Sequence, residues 1–531
     1  MSKEPLFAAM FDCSRNAVLN LATVKAMAAT IKSFGYNAML LYTEDTYEIE
    51  GEPYFGYLRG RYSKEELKEL DAYCDSIGIE LIPCIQTLAH LNQIFHWSTY
   101  EDIHDSKDIL LPKEERTYEL IEKIFQTCRE CFKTKRIHIG MDEADVGRGK
   151  YLDKHGYEKR KSIIADHLRK VLEIAKKYDF EPMMWSDMFY GSYFMSVPSK
   201  EERENIPEGV TMVYWDYYAP DKKHYVERIR NQTQDKNPVY FAGGIWSWMG
   251  FGPCNKYSLV RMSSSLKACR EEGIKDVIMT MWKDNGGECS FFSLLPSLFA
   301  ARRLYEGETS LPKIRKEFEA LTKERWNDFM LLDSLNAFNL TQKKEITNVA
   351  KWATYEDPLF HSAYGHVDLS KEEEWKKISK KLKNAAKRSS NYSYVFEEGS
   401  ALAAFLYYKY GLAKKIYNLY QAQDKEGLRE LLPSFKKMQK ALRAFYEKFR
   451  YLWHHENKSS GFEIQDARLG GLMLRLEDTE RTLKEYIDGK IERIEELEDP
   501  SPLDALCVNP SDPKAEFYEN NYALWMSVNA Y

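Results

Sequence analysis

Residues 136–149, RIHIGMDEADVGRG, end an apolar run with two adjacent acids, Asp142 and Glu143, followed by a glycine-punctuated loop. Side chains alternate along a strand, so His138, Gly140 and Asp142 are expected on one face, with Asp142 at its end. Glu143 falls where alternation gives way to loop and can turn toward the same space. Two carboxylates in different surroundings can hold different protonation states, one ionised and one acidic, which is the requirement of general acid–base chemistry. Adjacent Asp–Glu pairs are common on solvated loops, but this pair terminates a buried strand. His138 reads as a hydrogen-bonded core histidine. The chain has no HxH or HExxH, so no metal site is expected.

The elements that must position these acids occupy the first 300 or so residues. Eight β-rich runs (6–12, 37–43, 79–85, 136–142, 181–187, 210–218, 239–248 and 276–282) alternate with amphipathic segments such as NLATVKAMAATIKSFG and SKEELKELDAYCDSIG. The second segment opens with Ser63 and has Glu66 three residues on, a capping box. The crossover between the fifth and sixth runs is poor in helix signal. Eight such units predict an α/β fold, a (β/α)8 TIM barrel, over residues 1–308. A doubly wound sheet is the competitor, but no GxGxxG or Walker loop follows any run. Polar and aromatic residues recur just after the runs: Asp12 and Arg15, Glu44 and Asp45, Gln86 and His90, Asp142 and Glu143. Trp185 and Asp187, Trp215 to Tyr218, Trp246 and Trp248, and Trp282 and Asp284 continue the pattern. In a TIM barrel these converge on one face, where the active site is built.

From about residue 309 the chain turns to long Lys- and Glu-rich amphipathic segments, which predict an α-helical C-terminal domain over 309–531. Its charge runs read as solvated helix faces. Its tail, PSPLDALCVNPSDPKAEFYENNYALWMSVNAY, is turn-rich and then apolar and is expected to dock. With 44% hydrophobic and 30% charged residues, the 531-residue chain is of soluble globular composition. A net charge of −6 supplies no field for nucleic acid or an acidic membrane. No apolar run approaches a bilayer span, and the N-terminus lacks a secretory pattern. Nine scattered cysteines predict reduced thiols in a cytoplasm. The Cys128–Cys131 pair, without a partner pair, reads as two helix cysteines. Aromatic residues reach 14%, with 11 Trp and 36 Tyr, and such faces suit sugar rings as well as cores.

HIGMDEA resembles the H-x-G-x-D-E signature of family 20 glycoside hydrolases, the β-N-acetylhexosaminidases, which carry it on barrel strand four. The resemblance covers the barrel and implies release of terminal β-linked GlcNAc or GalNAc from an oligosaccharide or glycoconjugate by an exo-acting, retaining, substrate-assisted route. Glu143 would then be the general acid and base. Asp142 would orient the 2-acetamido group, whose oxygen is the nucleophile of an oxazolinium-like intermediate. No cofactor is implied. Asp12-Cys-Ser-Arg15 looks like the family's D-x-x-R, with Arg15 gripping sugar hydroxyls, and Trp282-Lys-Asp284 resembles W-x-E/D, a pocket wall plus a hydroxyl acceptor.

Trp185, Trp215 and Trp246 are expected in the aromatic pocket, each with core packing as the alternative. Tyr217 is the candidate donor to the acetamido oxygen, with Tyr218 or Tyr214 as substitutes. The family's P-E-[ILF]-D-x-P-G-H is here Pro83-Cys-Ile-Gln86-Thr-Leu-Ala-His90: His90 stays in register, and Gln86 replaces an aspartate. The strands begin near residue 6, without the small domain that commonly precedes them. Another retaining glycosidase using Asp142 or Asp284 as nucleophile, or a non-catalytic sugar-binding barrel, stays open. So does a homodimer in which the helical domain covers a neighbour's site.

Overall fold

A computed structural model describes residues 4–191, 198–336, 348–360 and 364–498. The expected docking tail lies outside them. Eight parallel strands close a barrel in sequence order: β1 (Phe7–Asp12), β2 (Ala38–Tyr42), β3 (Glu80–Cys84), β4 (Arg136–His138), β5 (Glu181–Trp185), β6 (Thr211–Trp215), β7 (Val239–Gly244) and β8 (Val277–Met281). β1 closes the ring on β8, with Ala8 opposite Ile278. Alternation sorts each strand into two packing layers. Ala8, Met10, Leu40, Tyr42, Ile82, Cys84, Met183, Trp185, Val213 and Ile278 fill the barrel, while Phe7, Phe11, Met39, Leu41 and Leu81 pack outward into the helix layer.

The helices form where their caps and apolar stripes require them. Asn20 caps Leu21–Ser33 by accepting from the Thr23 N–H at 2.9 Å. Ser63 and Glu66 make the expected capping box before Lys64–Ser76. Cys128 and Cys131 are buried in the helix Glu115–Cys131, and all eight cysteines among the described residues are free thiols. Between β5 and β6 the described residues hold only two short helices, Asp187–Tyr190 and Lys200–Glu204, as the weak helix signal there predicts.

Beyond residue 310 the described chain is helical, ending in Lys425–Glu456 and Phe462–Ile487. The helix Glu372–Ala386 buries Trp375, Ile378, Leu382 and Ala385, a 3–4 spacing that leaves its lysines in solvent. This region packs on the barrel's catalytic rim. Leu19 bridges Asn457, the Lys458 N–H donates to the Val18 carbonyl at 2.8 Å, and Phe251, after β7, packs against Phe445 and Phe449. No helix among the described residues is long and apolar enough to cross a membrane.

Three strands end three or more residues before their sequence runs do: β4 at His138, β6 at Trp215 and β7 at Gly244. Simple alternation through residue 142 therefore does not place Asp142. The chain instead turns a corner.

Candidate active site

The corner after β4 has positive φ at Gly140 (71°), Met141 (71°) and Glu143 (50°). A non-glycine side chain rarely adopts that region, and such strain collects at functional sites. At residue 140 only glycine fits, because a Cβ there would lie 2.0 Å from Gln86 Oε1. Gln86 secures the corner from β3: its Oε1 accepts from the Met141 N–H at 3.0 Å, and its Nε2 donates to Asp142 Oδ1 at 2.8 Å. The Glu143 N–H donates to Asp187 Oδ2 at 3.0 Å, which turns the Glu143 side chain, about half exposed, over the barrel mouth. His138 is the buried core histidine expected, packed on Trp185 at 4.2 Å with its pKa pushed down to about 3 by burial, so it is neutral.

The two acids titrate apart. Burial pushes Asp142 up, but His90, the Gln86 amide and its own backbone outweigh burial and hold it below the usual carboxylate range. Glu143 is raised, first by burial and then by the charge of Asp142. His90, itself at φ 57°, places Nε2 3.4 Å from Asp142 Oδ2 and 3.8 Å from Glu143 Oε2. Burial opposes its protonation, yet Asp142 and Glu44 lift its pKa to about 10, so His90 is an imidazolium at neutral pH. Asp108 lies 3.8 Å from His90 Nδ1 and accepts from the His90 backbone N–H at 3.0 Å.

A polar chain crosses the pocket floor from these acids to the opposite wall. Gln86 Nε2 also donates to the Tyr42 hydroxyl at 2.8 Å, and Tyr42 donates to Glu44 Oε1 at 3.0 Å. Arg15 lies 3.6 Å from Glu44, 3.4 Å from Asp284 and 3.9 Å from Asp12. Burial opposes the Arg15 charge, but these three carboxylates overcome it.

The cavity encloses about 500 Å³ with its open mouth, within the range of small-molecule sites (roughly 300–1,000 Å³). Arg15, His90, Asp142, Glu143, Trp185, Trp215, Tyr217, Trp282 and Asp284 all line it, nine of the ten positions read from sequence. Trp246, expected in the aromatic pocket, does not line the cavity. It is 2% exposed and stacks behind Trp248 at 4.0 Å, so Trp248 is the wall and Trp246 its backing. β7 ends at Gly244, and the irregular backbone beyond it breaks the alternation that pointed Trp246 inward.

Trp282 Nε1 donates to the Tyr217 hydroxyl at 3.1 Å, and Trp215 stacks on Tyr217 at 5.4 Å, giving an aromatic box with one polar tip. Tyr42 and Tyr218 also line the cavity. Tyr42 was missed as a site residue, although it is the last inward position of β2 and the same signal marked Trp185 on β5. Asp187 is a buried carboxyl raised to about 7, chiefly by burial and then by Asp142. It accepts from Trp215 Nε1 at 3.2 Å and so joins the acid corner to the aromatic box.

Two family models match the chain: the catalytic domain of glycosyl hydrolase family 20 over residues 42–275, and the Glycoside Hydrolase 20C C-terminal domain over 327–511. Human Hexosaminidase D is 24% identical over 199 residues, 35% of this chain and 40% of that protein. Bovine Hexosaminidase D is 24% identical over 237 residues, covering 41% and 63%. The Beta-hexosaminidase of Akkermansia muciniphila is 33% identical over 98 residues, covering 16% and 20%. The chain thus spans less than two thirds of each of these relatives. The solved GH20 exo-β-N-acetylglucosaminidase of Vibrio harveyi aligns at 13% identity with a TM-score of 0.46, covering 62% of this chain and 59% of that one. By the two family matches, one within the barrel and one within the helical region, the chain belongs to glycoside hydrolase family 20.

Proposed function

We propose that the protein is an exo-acting β-N-acetylhexosaminidase that removes terminal β-linked GlcNAc or GalNAc with retention, with the substrate's own acetamido oxygen as nucleophile. The divergence of the two acids carries this reading: at neutral pH Asp142 is held ionised by His90 and Gln86, whereas Glu143 is pushed toward its acid form.

Glu143 donates its proton to the glycosidic oxygen as the bond to the anomeric carbon breaks, and the acetamido oxygen closes on that carbon. Asp142 accepts the acetamido N–H and balances the positive charge of the five-membered ring. The Glu143 carboxylate then takes a proton from water, whose oxygen opens the ring and restores the acetamide. Both oxygens of Asp142 are already engaged, one by Gln86 and one facing His90, which favours an orienting and charge-balancing role over attack on the sugar.

In this reading Arg15 and Asp284 hold ring hydroxyls, and Trp185, Trp215, Trp248 and Trp282 enclose the acetamido methyl. Tyr217 donates to the acetamido oxygen. Residues 1–308 are assigned to the catalytic barrel and 309–531 to the helical domain. The test is nitrophenol release from the β-GlcNAc and β-GalNAc glycosides by wild type, Glu143→Gln and Asp142→Asn. Turnover lost in both variants supports the assignment, and no turnover by wild type on either sugar refutes it.

A further inference from the structure

The turn that follows β8 faces two ways. Asp284 points into the pocket beside Arg15, whereas Glu288, four residues on, points into the seam with the helical region, where it is 3% exposed. Two cations from that region meet it there. Lys351 Nζ lies 2.7 Å from one carboxylate oxygen, and Arg468 Nη1 lies 3.3 Å from the other. Both cations are buried, and a buried carboxylate without such partners would be strongly destabilising. The neighbouring Gln465 Nε2 donates to the Gly286 carbonyl at 3.1 Å. Gly286 has φ 121°, and a Cβ on it would come within 2.7 Å of Arg468 Nη1, so the guanidinium packs directly against the turn's backbone.

The Arg15–Asp284 contact has little capacity to hold itself. The two side chains are 3.4 Å apart, and that of Asp284 is 39% exposed, a geometry in which an ion pair contributes little. The turn contains two consecutive glycines, Gly286 and Gly287, whose backbones have wide freedom unless anchored. On the barrel side the anchor is Lys283, whose N–H donates to Asp12 Oδ2 at 2.9 Å and whose Nζ donates to the Gly287 and Cys289 carbonyls. On the other side it is Gln465 and Arg468, both on the helix Phe462–Ile487.

We propose that Gln465 and Arg468 are positioning residues for Asp284: the helical region fixes the turn after β8 and thereby aims the Asp284 carboxylate at Arg15 and the sugar hydroxyl between them. This rests on the reading that Arg15 and Asp284 bind sugar hydroxyls. The same region also supports the loop after β7 that carries Trp248. Asn348 donates to the Met249 carbonyl at 3.1 Å, and Asn336 to the Gly252 carbonyl at 2.6 Å. The helical domain then acts as part of the sugar-binding wall, built from behind.

The test is a double-mutant cycle on kcat/KM for the nitrophenyl glycosides, using Arg468→Met and Asp284→Asn, with crystal structures of wild type and Arg468→Met. Gln465→Met serves as a milder variant that removes one hydrogen bond and leaves the charges paired. Removing a charged contact to substrate is expected to cost about 10- to 100-fold. If Arg468 acts through Asp284, the double variant is no worse than Asp284→Asn alone, within about 2-fold. Independent losses would instead multiply.

Arg468→Lys, which keeps the charge on Glu288, is expected to recover part of the loss. In the Arg468→Met crystal the Arg15–Asp284 separation is expected to open beyond the wild-type value. If Arg468→Met does not fold, the cycle and the crystal structure are read on Gln465→Met. Multiplying effects, or an unmoved Asp284, would overturn the proposal. The crystallographic result stands whether or not wild type turns these glycosides over, so failure of the functional reading shows separately, as an inactive wild type.

Discussion

Replacing His90 with Gln removes the cation that holds Asp142 ionised. At 3.4 Å and an effective dielectric of about 20, the pair attracts by about 5 kcal/mol, equivalent to roughly 3.5 pK units. Against burial, Asp142 and then Glu44 lift His90 from 6.5 to about 10. The same attraction lowers Asp142, so its loss must raise it. Water admitted beside the shorter group and the remaining Gln86 donor recover part, leaving an expected rise of about 1–3 units in the acid limb of kcat/KM. The variant should therefore lose more of its activity at pH 5 than at pH 7.

Stability should change with the opposite pH signature. Folded His90 keeps its proton to about pH 10, whereas the unfolded residue loses it near 6.5. Its contribution is thus complete below 6.5 and lost between 6.5 and 10, and the variant should flatten that slope. The assay is a pH series of kcat/KM on a nitrophenyl glycoside, paired with urea melts. A lowered plateau with an acid limb unmoved within about 0.3 units would refute the electrostatic account and leave His90 a matter of shape.

Trp248→Ala removes the pocket wall and is expected to cost about 2–3 kcal/mol of substrate binding, seen mainly in KM, whereas Trp246→Phe behind it should change kcat/KM less than about 3-fold. Equal losses would contradict the assignment of wall and backing. Asp333 accepts from the N–H groups of Asn255 and Lys256 at 3.0 and 2.8 Å, and burial raises it to about 7. Its stabilising protonation on folding is therefore lost as pH rises toward and through 7, and Asp333→Asn should narrow the difference in melting temperature between pH 4.5 and 7.5 (about 1.4 kcal/mol per pK unit is at stake). The proposed route uses two carboxyl groups and the substrate's own acetamide, so a chelator is expected to leave kcat/KM unchanged. A loss reversed by added divalent cation would show otherwise.

The barrel was legible because each strand repeats one signal, an apolar run ending in a polar or aromatic residue, and eight repeats make the closure. Asp142 and Glu143 were legible as a pair but not as a geometry. Strand alternation cannot foresee three positive φ values in four residues, and those arise from Gln86 holding the corner and from Asp187 holding the Glu143 N–H.

Trp246 was misplaced for a related reason: β7 stops at Gly244, and beyond a strand end periodicity says nothing about direction. Tyr42 stands at an inward strand position and Asp187 among the polar residues that follow β5, whereas Asp108 reaches the site through a contact 18 residues distant in sequence, which no local pattern encodes. The same holds for Arg468, whose sequence neighbourhood reads as an amphipathic helix while its side chain meets Glu288 180 residues away.

Replacing the methyl hydrogens of the substrate's acetamido group with fluorine asks whether its oxygen is the nucleophile. Nitrophenyl β-glycosides bearing N-acetyl, N-fluoroacetyl, N-difluoroacetyl and N-trifluoroacetyl groups differ in the electron density on that oxygen while keeping leaving group and ring constant. With the acetamido oxygen as nucleophile, kcat/KM falls steeply and monotonically along the series. A flat series, with Asp142 labelled by a 2-fluoro sugar, would place the nucleophile on the protein and contradict that route.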